Sequence, residues 1–223
     1  GVLWVKITVG GTVSHAANSR HPSVTNAIAE MHALQTRPEK WIAGYEAAHI
    51  HLGEHPNVTV AAIRGGMPWR LARNPFECSL YLDIRTVPGQ TAEAVKRSLR
   101  KVLREFAGAQ GKPEPLLEVL VNDPPTMIGT EELITKMVCA AHQRVTGKDS
   151  PFIIRRTGAD STHLNRYDVP CITYGPGGRT HPDAKALMHA VGEHAHVDNL
   201  LTAAKVYVDT ALTLCNQPAM DNS

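Results

Sequence analysis

The sequence predicts a mixed α/β protein whose first half forms a β-α-β-β-α-β domain. Runs in which apolar and polar residues alternate indicate strands, and two longer stretches carry apolar residues at helical spacing. Glycine and proline pairs separate these runs, as is typical of turns. The chain has 223 residues, of which 43% are hydrophobic, so it can bury a substantial core.

The first three elements are expected within the first 65 residues. A strand over residues 2–9 places four apolar residues on one face: Leu3, Val5, Ile7 and Val9. Gly10-Gly11 ends this strand, and a polar loop follows. A helix is expected from about Ser23–Thr25, where a Ser or Thr N-cap would begin it. A second strand over residues 57–64 stops at Gly65-Gly66.

The third strand has the clearest alternation. Four of its residues face one way, namely Cys78, Leu80, Leu82 and Ile84, and their neighbours face the other. This pattern is typical of an antiparallel sheet with one covered face. Thr91 is expected to cap an amphipathic helix, and Leu117 to Val121 form a fourth strand. The resulting element order is the ferredoxin-like one.

Asp123-Pro124-Pro125 indicates a boundary between residues 1–122 and residues 123–223. Beyond it we expect helices over about 131–145 and 198–215, with short buried strands at 151–154 and 171–174. A sheet of two strands is marginal on its own. The second part is therefore expected to belong to a larger α/β layer whose remainder lies outside this sequence.

Composition excludes several classes of function. Lys and Arg number 23 against 21 Asp and Glu, without a long basic run, which argues against a dedicated nucleic-acid-binding protein. No apolar stretch approaches the roughly 20 residues needed to span a membrane, and the start does not resemble a signal peptide. Four widely spaced cysteines without a CxxC pair indicate a reduced compartment. We therefore expect a cytoplasmic protein without a membrane or nucleic-acid partner.

Four motifs carry the candidate chemistry. In chain order they are Gly11-Thr12-Val13-Ser14-His15 followed by Asn26-Ala27-Ile28, then Asp83-Ile84-Arg85-Thr86-Val87-Pro88-Gly89-Gln90-Thr91, then Gly175-Pro176-Gly177, and His189-Ala190-Val191-Gly192-Glu193. Over nearly the whole chain they resemble the M20 family of zinc hydrolases. That family includes acetylornithine deacetylase, succinyl-diaminopimelate desuccinylase, aminoacylase and carboxypeptidase-type enzymes.

The resemblance implies that residues 1–122 are a lid and dimerisation domain and that residues 123–223 are the C-terminal part of a catalytic domain. It further implies a homodimer formed through the lid and two Zn²⁺ ions in the full-length active site. The reaction would be amide hydrolysis of an N-acyl or N-carbamoyl amino acid or a small peptide. The family's N-terminal catalytic segment, which supplies the other metal ligands and a catalytic Glu, has no counterpart here, so this chain alone is expected to be inactive.

Two readings without catalysis stay open. The chain is alternatively a non-catalytic dimerisation or binding module, because a single histidine cannot hold a catalytic zinc that needs three protein ligands. A ferredoxin-like regulatory domain without a hydrolytic relative is the third reading.

Histidines supply the two main site predictions. By resemblance, His189 is the metal ligand, with Glu193 as a carboxylate that orients its loop; an ordinary loop histidine is the alternative. His194 and His196 are expected to be strand or surface residues rather than ligands. His15 matches the lid histidine, which reaches across the dimer and donates to the polarised carbonyl oxygen. His21 is its rival, because the stretch from His15 to Asn26 is about two residues longer than the family pattern.

Substrate contacts are expected at six further positions, each with a plain alternative. Asn74 would contact substrate or form an Asn-Pro turn, and Arg85 would bind a carboxylate or pair with Asp83. Asp160 and Ser161 would contact substrate or cap a helical turn. Gly175 and Gly177 would let backbone N–H groups approach a carboxylate, or form a simple turn.

Overall fold

The structure, a computed structural model, describes residues 1–155, 157–176, 189 and 191–216. The chain divides into two compact units. The first unit comprises Gly1–Thr126 and Ile154–Gly158, and the second comprises Met127–Ile153 and Ala159–Ser223. Among the described residues, no helix combines the length and the apolar character needed to cross a membrane.

The first unit has the element order that the sequence predicts. Its strands and helices are β1 (Val2–Gly10), α1 (Ala27–Ala48), β2 (Asn57–Gly65), β3 (Glu77–Arg85), α2 (Ala92–Gln110) and β4 (Leu116–Asp123). The four strands form one sheet in the order β2-β3-β1-β4, and neighbouring strands are antiparallel. The predicted mixed α/β class and the ferredoxin-like order are therefore confirmed.

One face of this sheet forms the core. Val5, Ile7, Leu80 and Ile84 are fully buried, as the alternation in β1 and β3 predicts. Helices α1 and α2 supply the rest of the cluster through residues such as Met31, Leu34, Leu99 and Leu103. The other face carries polar side chains, including Lys6 of β1 opposite Tyr81 of β3. The fold thus leaves a polar sheet face without a covering helix of the first unit.

Helix α1 begins later than the sequence predicts. Its N-cap is Asn26, whose side-chain oxygen accepts the N–H groups of Ile28 and Ala29 at 2.9 and 3.3 Å. Thr25 is engaged elsewhere, because its backbone C=O and N–H bond to the backbone and hydroxyl of Thr12. The expected Ser or Thr cap at Ser23–Thr25 is therefore wrong, whereas Thr91 caps α2 as expected.

The regular secondary structure described in the second unit is helical. Its helices are α3 (Leu133–Thr146), α4 (Asp160–Arg166) and α5 (Val197–Cys215). Helices α3 and α5 pack through Val138, Ala141 and Val206, and Gly147 ends α3 with a positive φ of 70°.

The two strands expected in the second half, at 151–154 and 171–174, are wrong. Neither segment is a strand, and no described strand pairs with either of them. A strand needs a neighbour to satisfy its N–H and C=O groups. The apolar side chains of Phe152 and Ile153 remain exposed instead. An apolar run alone therefore does not produce a strand here.

Truncation of the sheet core should destabilise the first unit. Leu80 is fully buried and Ile63, its register partner on the edge strand β2, is 56% exposed. We expect Leu80→Ala to lower the free energy of unfolding by about 2–5 kcal/mol and Ile63→Ala by about 1 kcal/mol or less. Chemical denaturation followed by tryptophan fluorescence measures this, because Trp4, Trp41 and Trp69 all lie in the first unit. Equal losses in the two variants would contradict the difference in burial between the centre and the edge of the sheet.

Candidate functional site

His15 lies in the loop that leaves β1, with an exposed side chain. Its backbone is extended, and a short 3₁₀ turn follows at Ala16–Asn18. The ring nitrogen Nδ1 accepts the backbone N–H of Ala17 at 3.1 Å. A nitrogen that accepts this bond carries no proton, so the neutral ring is protonated at Nε2. His15 therefore has an N–H donor on the side of the ring that the turn does not use.

The His15 loop is fastened to the segment that precedes β3. Gly11 N–H donates to the C=O of Phe76 at 2.8 Å, and Asn74 N–H donates to the C=O of Ser14 at 2.9 Å. The N–H of Ala16, next to His15, donates to the C=O of Ala72 at 2.7 Å. The position of His15 is therefore set by the two central strands, from which both segments extend.

Asn74 strengthens this junction from the inside. Its side chain is almost fully buried, and Nδ2 donates to the C=O groups of Thr12 at 2.7 Å, Thr25 at 2.8 Å and Pro75 at 3.3 Å. Among the described residues, Oδ1 has no hydrogen-bond partner. The sequence suggested a substrate contact or a turn at Asn74 and missed this role, because a turn signal does not reveal which distant carbonyls a side chain will meet. A substrate contact at Asn74 stays a prediction, and it concerns Oδ1 alone.

Two other predicted residues of the first unit have local partners. Nδ1 of His21 lies 2.8 Å from Oγ of Ser23, so His21 is tied to its own turn and remains exposed. Arg85 donates to a carboxylate oxygen of Asp83 at 2.7 Å, which is the ion pair that the sequence offered as the alternative. Arg85 ends β3, about 26 Å along the strand from Glu77. The structure therefore places Arg85 at the opposite end of the sheet from His15 and Asn74.

Asp160 and Ser161 begin α4 in the second unit. The N-cap is Ala159, without a side-chain cap, so neither residue caps the helix as the alternative proposed. Asp160 is exposed in the first turn, where a carboxylate is favoured by the helix dipole. Oγ of Ser161 lies 3.2 Å from Oγ1 of Thr173. Ser161 is thereby brought beside the segment that leads to Gly175.

The Gly175 segment is anchored by a group of aromatic side chains. The hydroxyl of Tyr174 lies 2.7 Å from Nδ1 of His142, and the hydroxyl of Tyr207 donates to the C=O of Tyr174. Burial, and then the neighbouring Tyr207, raise the pKa of Tyr174 above its ordinary value, so this phenol stays protonated. Among the described residues, a Cβ built on Gly175 would meet only the Tyr207 hydroxyl, at an ordinary 3.6 Å. Packing against these residues therefore does not require glycine at 175, and Gly177 lies outside the described residues.

His189 is exposed and has a left-handed backbone, with φ of 62°. Its N–H donates to a carboxylate oxygen of Glu193 at 2.8 Å, so Glu193 holds the backbone of this residue. His196 occupies the N-cap position of α5, and the rings of His194 and His196 lie 5.2 Å apart. Among the described residues, no group of three or more His, Cys, Asp or Glu side chains could hold a metal ion. A zinc centre therefore does not fit the described residues by themselves.

Comparisons with known proteins match both the domain and the fold. The family model of the M20 peptidase dimerisation domain matches residues 1–110. The di-peptidase Dug1p from Saccharomyces cerevisiae is similar with a TM-score of 0.72 at 12% identity, covering 97% of this chain and 55% of that one. A tripeptidase from Staphylococcus aureus gives 0.66 at 16% identity, covering 97% and 52%. A hydantoinase/carbamoylase family amidase from Burkholderia ambifaria gives 0.63 at 17%, covering 98% and 48%.

At these identities the likeness to the solved structures concerns the fold. The chain spans about half the length of the structures that it matches. The matched family segment contains His15, Asn74 and Arg85, whereas Asp160, Ser161, Gly175 and His189 lie beyond it.

Loss of the Asn74 amide should loosen the His15 loop. Asn74→Ala removes the donor from three buried carbonyls, and we expect a loss of about 1–3 kcal/mol in stability. Asn74→Asp should cost more at neutral pH, because an ionised carboxylate would face the same carbonyls. Backbone amide exchange at Thr12 and Ala16 should accelerate in both variants. Asn57→Ala is the matched control, since Asn57 is exposed and donates only to the Thr59 hydroxyl; unchanged exchange in Asn74→Ala would contradict the role of this amide.

Proposed function

Because residues 1–110 match the family model of the M20 peptidase dimerisation domain, we propose that the chain is part of an M20 metallohydrolase that cleaves an amide bond. The substrate class that we propose is an N-acyl or N-carbamoyl amino acid or a small peptide. A di-peptidase, a tripeptidase and a carbamoylase-family amidase among the similar structures support this range. The observation that carries the proposal is the family match, joined to a lid histidine whose Nε2 is left protonated.

His15 would act on the negative charge that develops on the carbonyl oxygen when the amide is attacked. Its bond with Ala17 keeps the Nε2 proton available, and its loop is anchored by Asn74. A donor that is held in place before the reaction stabilises such charge without reorganising. We assign this donor role to His15 rather than to His21, because the segment of His15 is bonded to the segment that precedes β3, whereas His21 lies in an exposed turn. Asn74, Arg85, Asp160, Ser161, Gly175 and Gly177 remain proposed substrate contacts.

The described residues do not supply a complete set of metal ligands. The described residues form no three-ligand group, so His189 would contribute one imidazole at most. We place the other ligands, and the glutamate that acts as general base, in a segment outside the printed sequence. In hydrolases of this type, bound zinc would polarise the carbonyl and activate a water molecule. Glu193 would help by holding the backbone of His189 in its left-handed conformation.

We propose a homodimer that forms through the first unit, because the family model that matches it describes a dimerisation domain. A two-fold interface presents the same patch of both subunits to each other. The sheet has two edge strands, β2 and β4, and the edge strand β2 exposes Ile63. In such a dimer, His15 of one subunit would serve the active site of its partner.

A non-catalytic dimerisation or binding module is the second candidate function. The lack of a three-ligand group among the described residues favours it for this chain in isolation. The two candidates differ in what the longer protein does: a binding module would neither hold zinc through His189 nor hydrolyse amides.

The isolated chain should neither load a catalytic zinc nor turn over substrate. After dialysis against Zn²⁺ we expect much less than one metal ion per chain, because a single imidazole binds zinc weakly. Plasma mass spectrometry measures the metal, and release of free amino acid from N-acetyl and N-carbamoyl amino acids measures turnover. His189→Ala is the control and should match the parent chain in both assays. Zinc-dependent hydrolysis by the purified 223-residue chain would overturn this prediction.

Mixing two inactive variants of the longer protein tests whether His15 acts in trans. His15→Ala and His189→Ala should each lose most of the activity, and His189→Ala should also lose bound zinc. Randomly mixed dimers should regain about a quarter of the parent activity, because half are hybrids and each hybrid holds one intact site. No recovery in dimers shown to be mixed would place His15 in the active site of its own chain. Unchanged metal content in His189→Ala would remove the ligand role.

A further inference from the structure

A cleft of about 390 Å³ lies in the first unit, at the end of the sheet where β2 and β3 join their connecting loop. Lys6 and Tyr81 line it from the polar face of the sheet, and Trp69 and Arg73 line it from the loop between β2 and β3. Its walls therefore come from the strands β1, β2 and β3 and from the loop between β2 and β3. This volume suits a small molecule of about amino-acid size.

The charge of this cleft is positive. Lys6, Arg64 and Arg73 line it against one carboxylate, that of Glu77. Lys6 already pairs with Glu118 at 3.1 Å, and the hydrogen bond to that carboxylate raises the pKa of Lys6. Arg64 and Arg73 form no ion pair with any residue that the structure describes. Two guanidinium groups are therefore available to an anion.

Arg73 is also oriented. Its guanidinium lies over the ring of Phe76, 4.9 Å from the ring centre. A guanidinium stacked on a ring keeps the N–H groups at its edge free, and these groups match the geometry of a carboxylate. The aromatic ring thus positions Arg73 without using its donors.

An apolar wall stands beside these cations. Trp69 lines the cleft although it is 80% exposed, and Met67 lies next to it on the same loop. A tryptophan this exposed is unusual unless a partner covers it. An apolar group attached to the anion would bury the indole while its carboxylate meets the arginines.

One residue that lines the cleft has a buried polar atom without a hydrogen-bond partner among the described residues. Asn74 lines it with only 2% of its surface exposed, and among the described residues Oδ1 has no hydrogen-bond partner. Arg73 forms an isolated β-bridge with His15, so the cleft adjoins the His15 loop. The cleft next to the proposed donor therefore combines a buried polar group, two arginines and an apolar wall.

We propose that this cleft binds a small organic carboxylate that carries an aromatic or branched apolar group. Arg64 and Arg73 bind the carboxylate, and Trp69 covers the apolar group. The proposal concerns binding alone and stands whether or not the longer protein is a hydrolase. The same ligand chemistry fits the carboxylate end of an acyl amino acid or a separate carboxylic acid.

Binding to the 223-residue chain tests this site. The probes are N-acetyl-L-phenylalanine, 3-phenylpropionate and the neutral N-acetyl-L-phenylalaninamide, titrated by calorimetry and by two-dimensional NMR of the amide groups. We expect the acids to bind at least about threefold more tightly than the neutral amide, with shifts at Arg73, Asn74 and Tyr81. Binding of both acids indicates recognition of a carboxylic acid as such. Binding of the acyl amino acid alone indicates that the cleft also recognises the amide group, as expected for the carboxylate end of an acyl amino acid substrate.

Variants in β2 and in the loop that follows it separate the cleft from the surface around it. Arg64→Gln and Trp69→Ala should each weaken binding of the tighter acid about three- to tenfold. Arg70→Gln and Leu71→Ala are the controls, since both residues are exposed on the same loop and neither lines the cleft. Equal binding of the neutral amide, no binding of either acid at millimolar concentration, or equal losses in test and control variants would overturn the proposal.

Discussion

The pairing of β1 with β3 is the constraint on which the first unit depends. The two strands pair without interruption from Val2 opposite Arg85 to Gly10 opposite Glu77. Both are central in the sheet, so a slip of one residue would turn their buried side chains to the polar face. The loop with His15 leaves one end of this pair, and the segment with Asn74 enters at the same end. The register that buries the core therefore also decides which backbone groups of the two segments meet.

Alternation within the strands made much of this fold predictable. The residues of β3 face the core or the open side as their sequence order requires, because the period of a strand is two whatever its neighbours are. The start of α1 was harder. Ser23, Thr25 and Asn26 are all good cap residues, and the choice fell to Asn26 because the backbone of Thr25 bonds to Thr12. Such a long-range contact leaves no mark in local sequence.

The candidate site was likewise predictable from the sequence only in part. The resemblance of the motifs to those of the M20 family pointed to both His15 and His189. The proton position on His15 depends on one bond to Ala17, and the three carbonyls around Asn74 come from two separate segments. These facts require the folded backbone. The expected strands at 151–154 and 171–174 failed for a related reason, since a strand exists only beside a partner and no described strand lies beside them.

A sheet that is covered by helices on one face only has a physical consequence for the site. The face covered by the helices must be apolar to form the core. The other face can carry polar or charged side chains, and it holds Lys6, Ser79 and Tyr81. The connecting loop between β2 and β3 adds Arg73 and Trp69 at the end where the His15 loop is fastened. The proposed donor His15 and the cationic cleft are then supported by the same two strands, so a ligand held in the cleft would lie next to the His15 loop. Without the hydrogen bonds of Asn74, the His15 loop would no longer be held beside the cleft.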